Sequence, residues 1–281
     1  MTFPFLRGQQ RWSVLPLFAA ALVGLGLASA SAPSHAQDDA ELTQEQRKMQ
    51  AFAKRQYNRG RMSFARGDRK NARQHYQEAI KTYNKHFGET DGRLIAPLSA
   101  FVDSYDTITW EKPNKQLRTV LEQLIEVYEA NGIGGRDRSL ALAKLADWWV
   151  IAKKEKQSTA YYKQAWQAIA DTEGVEAANR DFQNANTLYF MPPVYRAPDI
   201  GARESTTVVA FTITQAGRTD DFRILESNAS GDLKSALTKA LRRRYYRPPV
   251  ADGEPMALPD VKLSFSFSAM GGYPAEEIIT P

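Results

Sequence analysis

"ALRRRYYRPP", residues 240–249, places four arginines and two tyrosines in ten positions and ends on two prolines. Basic residues interleaved with aromatics suit a groove for single-stranded nucleic acid, in which guanidinium groups meet phosphates and rings stack on bases. The residues upstream favour a different reading. Ser230 is placed to cap a helix, Asp232 falls in its first turn, and Leu233, Ala236, Leu237, Ala240, Leu241 and Tyr245 keep one apolar stripe at helical spacing. Arg242, Arg243 and Arg244 then occupy the last turn, where carbonyl ends favour cations by about 0.3–1 kcal/mol each. Pro248-Pro249 stop the helix and direct the chain outward. On this reading the arginines form a solvated helix terminus, and no nucleic-acid partner is expected.

Strand signals flank that helix. In "TTVVAFTIT" (206–214) Val209, Phe211 and Ile213 alternate with Val208, Ala210, Thr212 and Thr214. "QAGRTDD" reads as a turn and "FRILES" (222–227) as the second arm of a hairpin. "VKLSFSF" (261–267) alternates Val261, Leu263, Phe265 and Phe267 with Lys262, Ser264 and Ser266. The order strand, strand, helix, strand predicts one helix on one face of a small antiparallel sheet, which buries the three apolar stripes together.

Residues 192–268 resemble the C-terminal domain of TonB, the periplasmic part of an inner-membrane energy transducer. The resemblance lies in Pro193 and Tyr195, "VVAFTIT" with Gly217-Arg218, "ILES", "ALRRRYYRPP" with Gly253-Glu254-Pro255, and "VKLSFSF". Of the family's run of alanine, leucine, two basic residues, tryptophan, aromatic and proline, the chain keeps Ala240, Leu241, Arg242, Arg243, Tyr246 and Pro248. It has Arg244 at the tryptophan place. The resemblance implies that the domain holds an extended segment of another protein, such as an outer-membrane transporter, as an added strand on its sheet. Unpaired edge N–H and C=O groups would supply the affinity. Val261 to Phe267 is the edge expected to do so, with Pro193 and Tyr195 near the family's transporter-contact segment. The alternative is an ordinary edge guarded by Lys262 or covered by residues 271–281, which read as a flexible tail.

Upstream, from about Thr43 to Tyr189, the period is helical. "YNRGRMSFARGDRKNARQHYQEAI" (57–80) carries Gly60, Phe64, Gly67, Ala72, Tyr76 and Ala79. Small residues at these places let two antiparallel helices approach, Gly67-Asp68 makes the turn, and Tyr76 fills the gap between the helices. The spacing resembles the tetratricopeptide repeat. A weaker copy, "LADWWVIAKKEKQSTAYYKQAW" (145–166), keeps Ala146, Val150, Tyr162 and Ala165, with Lys153 at the turn glycine and Ser158 at the alanine. Residues 93–130 supply another amphipathic pair. Such units stack into a solenoid of about three repeats with a concave surface for a partner segment.

The N-terminus bears on the compartment. Arg7 and Arg11 precede an apolar run from Val14 to about Ala28, and small residues continue to Ser34-His35-Ala36, the three-part pattern of a secretory signal cleaved before Gln37. About 15 helical residues rise ~22 Å against a hydrocarbon core of ~30 Å, which disfavours an uncleaved anchor. Cleavage removes two of the 37 basic residues and none of the 32 acidic ones, so the formal charge falls from +5 to +3. With no cysteine in the chain, stability must come from a packed core, not from disulfides.

The expected organisation is therefore α+β: a signal peptide at 1–36, a TPR-like helical repeat array at 37–190, a ββαβ TonB C-terminal-like domain at 191–270, and the tail 271–281. The motif residues of the two parts are Gly60, Gly67, Ala72, Tyr76, Ala79, Tyr162, Ala165, Leu241, Arg243, Tyr246 and Pro248. His75 and His86 are the only histidines after residue 36, and no nucleophile signature is present, so no enzyme, metal, cofactor or small-molecule substrate is expected. Two functional readings follow. One is a non-enzymatic periplasmic adaptor for other proteins, such as a transporter segment or an envelope complex. The other is a divergent membrane-anchored transducer, whose contact with the membrane would require an uncleaved N-terminal helix.

Overall fold

In the structure, a computed structural model, residues 42–105, 114–196 and 204–278 are described. The leader expected over residues 1–36 lies outside them. Helix α1 (Gln44–Ala65) starts with a reciprocal cap, in which the Thr43 hydroxyl accepts from the Gln46 N–H at 3.1 Å and the Gln46 side chain accepts from the Thr43 N–H at 3.0 Å. Helix α2 (Arg69–Phe87) is capped by Asp68, which accepts from the Asn71 N–H. Between them Gly67 takes φ +81°, a conformation that costs glycine little. The two helices meet at Gly60, where a Cβ would lie 2.4 Å from the Tyr76 ring. Ala72 and Ala79 are fully buried beside it.

A 3-10 turn at Gly92–Leu94 leads into α3 (Ile95–Asp103). Helix α4 (Lys115–Ala130) begins under Asn114, whose side chain accepts from the N–H groups of Gln116 and Leu117. Three more helices follow, α5 (Gly135–Ile151), α6 (Glu155–Glu173) and α7 (Val175–Phe182). Lys153, at the turn between α5 and α6, has φ 59°, so a lysine carries the left-handed turn that Gly67 carries in the first hairpin. Ser158, Tyr162 and Ala165 are buried, as the repeat spacing predicts.

From Asn186 the backbone is mostly extended. The elements are β1 (Asn186–Tyr189), β2 (Ser205–Ile213), β3 (Thr219–Ser227), α8 (Gly231–Leu241), β4 (Tyr245–Arg247), β5 (Val250–Ala251), β6 (Glu254–Pro255), β7 (Leu258–Phe267) and β8 (Ala275–Ile278). Four of them form an antiparallel sheet in the order β3-β2-β7-β8, while β1 pairs with β4 and β5 pairs with β6. In β2 and β7, Val209, Phe211, Ile213, Leu263, Phe265 and Phe267 turn to one face and are covered by Leu233, Leu237 and Leu241 of α8. Ser230 caps α8 as expected, accepting from the Leu233 N–H at 3.3 Å. The chain is thus α+β, and the residues from Thr43 onward form one compact unit.

Four expectations are corrected. First, α8 ends at Leu241, before the prolines, because Tyr245-Tyr246-Arg247 leave the helix to pair with β1. Pro248 and Pro249 are buried, and the Pro249 carbonyl accepts from the Met256 N–H, so they do not lead the chain outward. Second, Arg242 and Arg243 are exposed as expected, but Arg244 is only 6% exposed. Third, residues 271–281 are not merely a tail: Tyr195 and Gly272 exchange backbone hydrogen bonds of 3.1 and 3.0 Å, and Ala275–Ile278 form β8. Fourth, β7 lies inside the sheet, because β8 pairs along it from Leu263↔Ile278 to Ser266↔Ala275, which is the alternative in which residues 271–281 cover the edge.

Gly60→Ala forces a Cβ into the buried Tyr76 ring and is expected to lower stability by about 1–3 kcal/mol, read by denaturant unfolding. The same substitution with Tyr76→Leu restores most of the loss if ring contact is the cause.

Candidate functional site

Two of the arginines in "ALRRRYYRPP" are drawn into the interior, each for a different purpose. Arg247 on β4 reaches Asp147 on α5. Its Nε donates to Oδ1 at 2.9 Å and a terminal nitrogen donates to Oδ2, a two-pronged pair that matches the planar geometry of both groups. Tyr162 on α6 donates its hydroxyl to the same Oδ1 at 2.8 Å. The Asp147 side chain is 5% exposed and that of Arg247 21%. Burial, followed by the Asp147 carboxylate, pushes the Tyr162 phenol well above its ordinary pKa. For Arg247, burial acts to lower the pKa and Asp147 more than offsets it, so the guanidinium stays charged. The trio joins two helices to the strand that follows α8. Nearby, Asn179 of α7 accepts from Trp166 Nε1 and from the Asp252 N–H, which ties the β5–β6 turn to the same helical face.

Arg244 faces the sheet side. One terminal nitrogen donates to Glu276 of β8 at 2.7 Å and the other to the Thr187 hydroxyl of β1 at 2.6 Å. Its guanidinium carbon lies 4.4 Å from the Phe190 ring centroid and 4.9 Å from that of Tyr246. Its Nε has no hydrogen-bond partner among the described residues. A guanidinium stays charged in the interior, so it needs a carboxylate there. Glu276 supplies one from the strand that covers β7.

The expected partner-binding residues separate into two groups. Val261, Lys262, Leu263, Ser264, Phe265, Ser266 and Phe267 lie in β7 between β2 and β8, with Leu263, Phe265 and Phe267 in the core and Lys262 and Ser266 exposed. Tyr195 is also a core residue: its ring meets Phe267 edge-on at 5.1 Å, and its hydroxyl accepts from the Ser268 N–H. Pro193 instead lines a groove of about 410 Å³ with Met191, Val194, Lys239, Arg243 and Tyr273. Of the motif residues, Leu241 and Tyr246 belong to the sheet-side core, while Arg243 stands on the rim of that groove.

The sheet ends in two edges, β3 and β8. Strand β3 carries Asp220, Asp221, Arg223 and Glu226, and its register slips twice against β2, features that discourage pairing along it. Strand β8 is short, and each of its four residues is exposed. A wider groove of about 670 Å³ runs between α2 and α4 past Ile80, Lys81, Val120 and Gln123, and is crossed by a Gln123–Asn84 hydrogen bond. His75 hydrogen-bonds Gln56 on α1. Among the described residues no three His, Cys, Asp or Glu side chains gather as a cation site, and no helix is long and apolar enough to cross a membrane.

Sequence reasoning missed Asp147, Thr187 and Glu276, because each gains its role from a residue 57 to 100 positions away or 32 positions away in the chain. The only available signal was the arginine at the tryptophan place. Comparison with known proteins found no family model that matches the chain and no curated protein significantly similar to it.

Asp147→Ala leaves a buried guanidinium unpaired and is expected to cost about 3–5 kcal/mol, whereas Asp147→Leu combined with Arg247→Met is expected to recover most of that by denaturant unfolding. Tyr162 and Tyr246 have folded pKa values above the ordinary tyrosine value, in both cases chiefly through burial. Their contribution to stability is complete below the unfolded value of about 10 and is lost as pH rises above it. Melting temperature is expected to fall from about pH 10 upward, and less steeply in Tyr162→Phe.

Proposed function

We propose that this chain is a non-enzymatic, exported adaptor of the bacterial periplasm that holds segments of other polypeptides. In this reading α1 to α7 are a TPR-like array and residues 191–270 are a ββαβ domain similar to the TonB C-terminal domain. The array offers the groove between α2 and α4, and the sheet offers strand addition at β7 to a segment that takes the place of β8. One observation above all supports the reading. A four-residue extended segment, Ala275–Ile278, already lies antiparallel on the outer side of β7, with no apolar side chain of its own buried. That segment is bound by main-chain pairing and one charge contact, the forces by which strand addition holds a peptide.

The geometry also fits a partner arriving as an extended chain. β7 is long, at ten residues from Leu258 to Phe267, and only Leu263–Ser266 are matched by β8. The part of β7 nearest Val261 is left beyond the pairing with β8, so a longer segment would gain contacts that β8 does not make.

Export is tested by N-terminal sequencing of the protein from periplasm. A start at Gln37 is expected, and an intact Met1 in the membrane fraction overturns it. Strand addition is tested by capture from a periplasmic and outer-membrane extract. The chain lacking residues 272–281 is expected to retain polypeptides that the same chain with Ser264→Pro does not, because proline removes a ladder donor. Equal recovery by the two folded proteins rejects pairing at β7.

A further inference from the structure

We infer that β8 is a built-in occupant of the β7 edge, latched by Glu276 on Arg244, and that the segment replacing it must bring a carboxylate to the same place. The inference rests on the adaptor reading above and adds to it the chemistry of the partner: an extended acidic segment of another polypeptide.

The balance of forces on β8 carries the argument. Its residues Ala275, Glu276, Glu277 and Ile278 are all exposed, and Ile278 is 68% exposed, so apolar burial contributes little to holding it. Four paired residues of edge strand and the Tyr195–Gly272 bridge supply main-chain hydrogen bonds, which any peptide supplies equally. What distinguishes this occupant is the carboxylate. Arg244 is 6% exposed, pinned between Phe190 and Tyr246, and held by Thr187 on its other side. These contacts hold the guanidinium in place, so release of β8 alone strands a buried charge. Exchange for a segment that delivers its own carboxylate avoids that cost.

Register sets the rule. Glu276 stands opposite Phe265 and Ile278 opposite Leu263, so both turn toward the inner face, while Glu277 opposite Ser264 turns away. The position that meets Arg244 therefore selects for an acid, and its two chain neighbours select little. Exposed Arg242 and Arg243 next to Arg244 add a positive field that draws an acidic segment toward the edge.

The test uses the chain from residue 37 onward, its E276Q variant, and labelled peptides of residues 272–281, GYPAEEIITP, followed by fluorescence anisotropy. The E276Q chain is expected to bind the parent peptide about tenfold or more tighter than the parent chain does, since its own strand no longer satisfies Arg244. On the E276Q chain a peptide with Gln at the Glu276 place is expected to bind about tenfold weaker, and one with Gln at the Glu277 place within about threefold. Glu276→Asp, which keeps the carboxylate, is expected to behave as the parent. An E276Q chain no more receptive than the parent, or equal binding of the two Gln peptides, overturns the latch. So does a dimer that forms on E276Q and disappears on removal of 272–281, because a second copy would then be the occupant. If E276Q does not fold, the same peptide pair is compared on the parent chain by hydrogen exchange at Leu263–Ser266, where greater perturbation by the parent peptide is expected and equal perturbation overturns the proposal. Acid-selective peptide binding without any captured envelope partner would sink the adaptor reading and leave the latch. A partner held equally by parent and E276Q would do the reverse.

Discussion

The pair between Arg247 and Asp147 is the constraint around which this fold is arranged. It brings a three-residue strand onto helices α5 and α6, and Tyr162 completes the acceptor set of the carboxylate. A buried pair of this kind contributes less to net stability than its geometry suggests, because both ions give up water to form it. Its effect is on specificity. Any packing of β4 that fails to place Arg247 against Asp147 leaves two interior charges unmatched, so few alternative dockings compete.

The same decapeptide carries a second buried cation with the opposite relation to the fold. Arg247 is satisfied by a residue deep in a helix, while Arg244 is satisfied by a residue on a short exposed strand near the end of the chain. One pair joins elements that have large apolar contacts besides. The other holds an element that has almost none. On the reading proposed above, this difference is what would let β8 be exchanged on β7, whereas the seam between strand and helices would stay closed.

Much of the architecture was legible in local patterns. The cap at Ser230, the Gly60–Tyr76 contact, and the alternation in β2 and β7 depend on residues a few positions apart or on periodicity, and each is found where it was expected. The candidate site was less legible. Tyr195 looked like a contact residue and is instead packed on Phe267, and the strand expected at the edge is covered. "AEEI" was hard to read as a strand because no residue in it is buried, so it lacks the alternation by which half-buried strands are recognised. Strand β4 was hidden for a related reason: its first residue, Tyr245, continued the helical stripe of α8, and the prolines after Arg247 were taken as the stop of that helix.

Sequence alone determined the α+β class, the change of period near residue 190, the start of α8 at Ser230, and the apolar face of each main element, because these follow from short-range sterics and from spacing along the chain. Only the tertiary structure decided which arginines of residues 242–247 meet water and which meet a carboxylate, and that β8 covers the outer side of β7. Those outcomes depend on charges and backbone groups brought together from distant parts of the chain. A buried guanidinium takes whichever acid the packed chain places beside it, and that choice has no local signature.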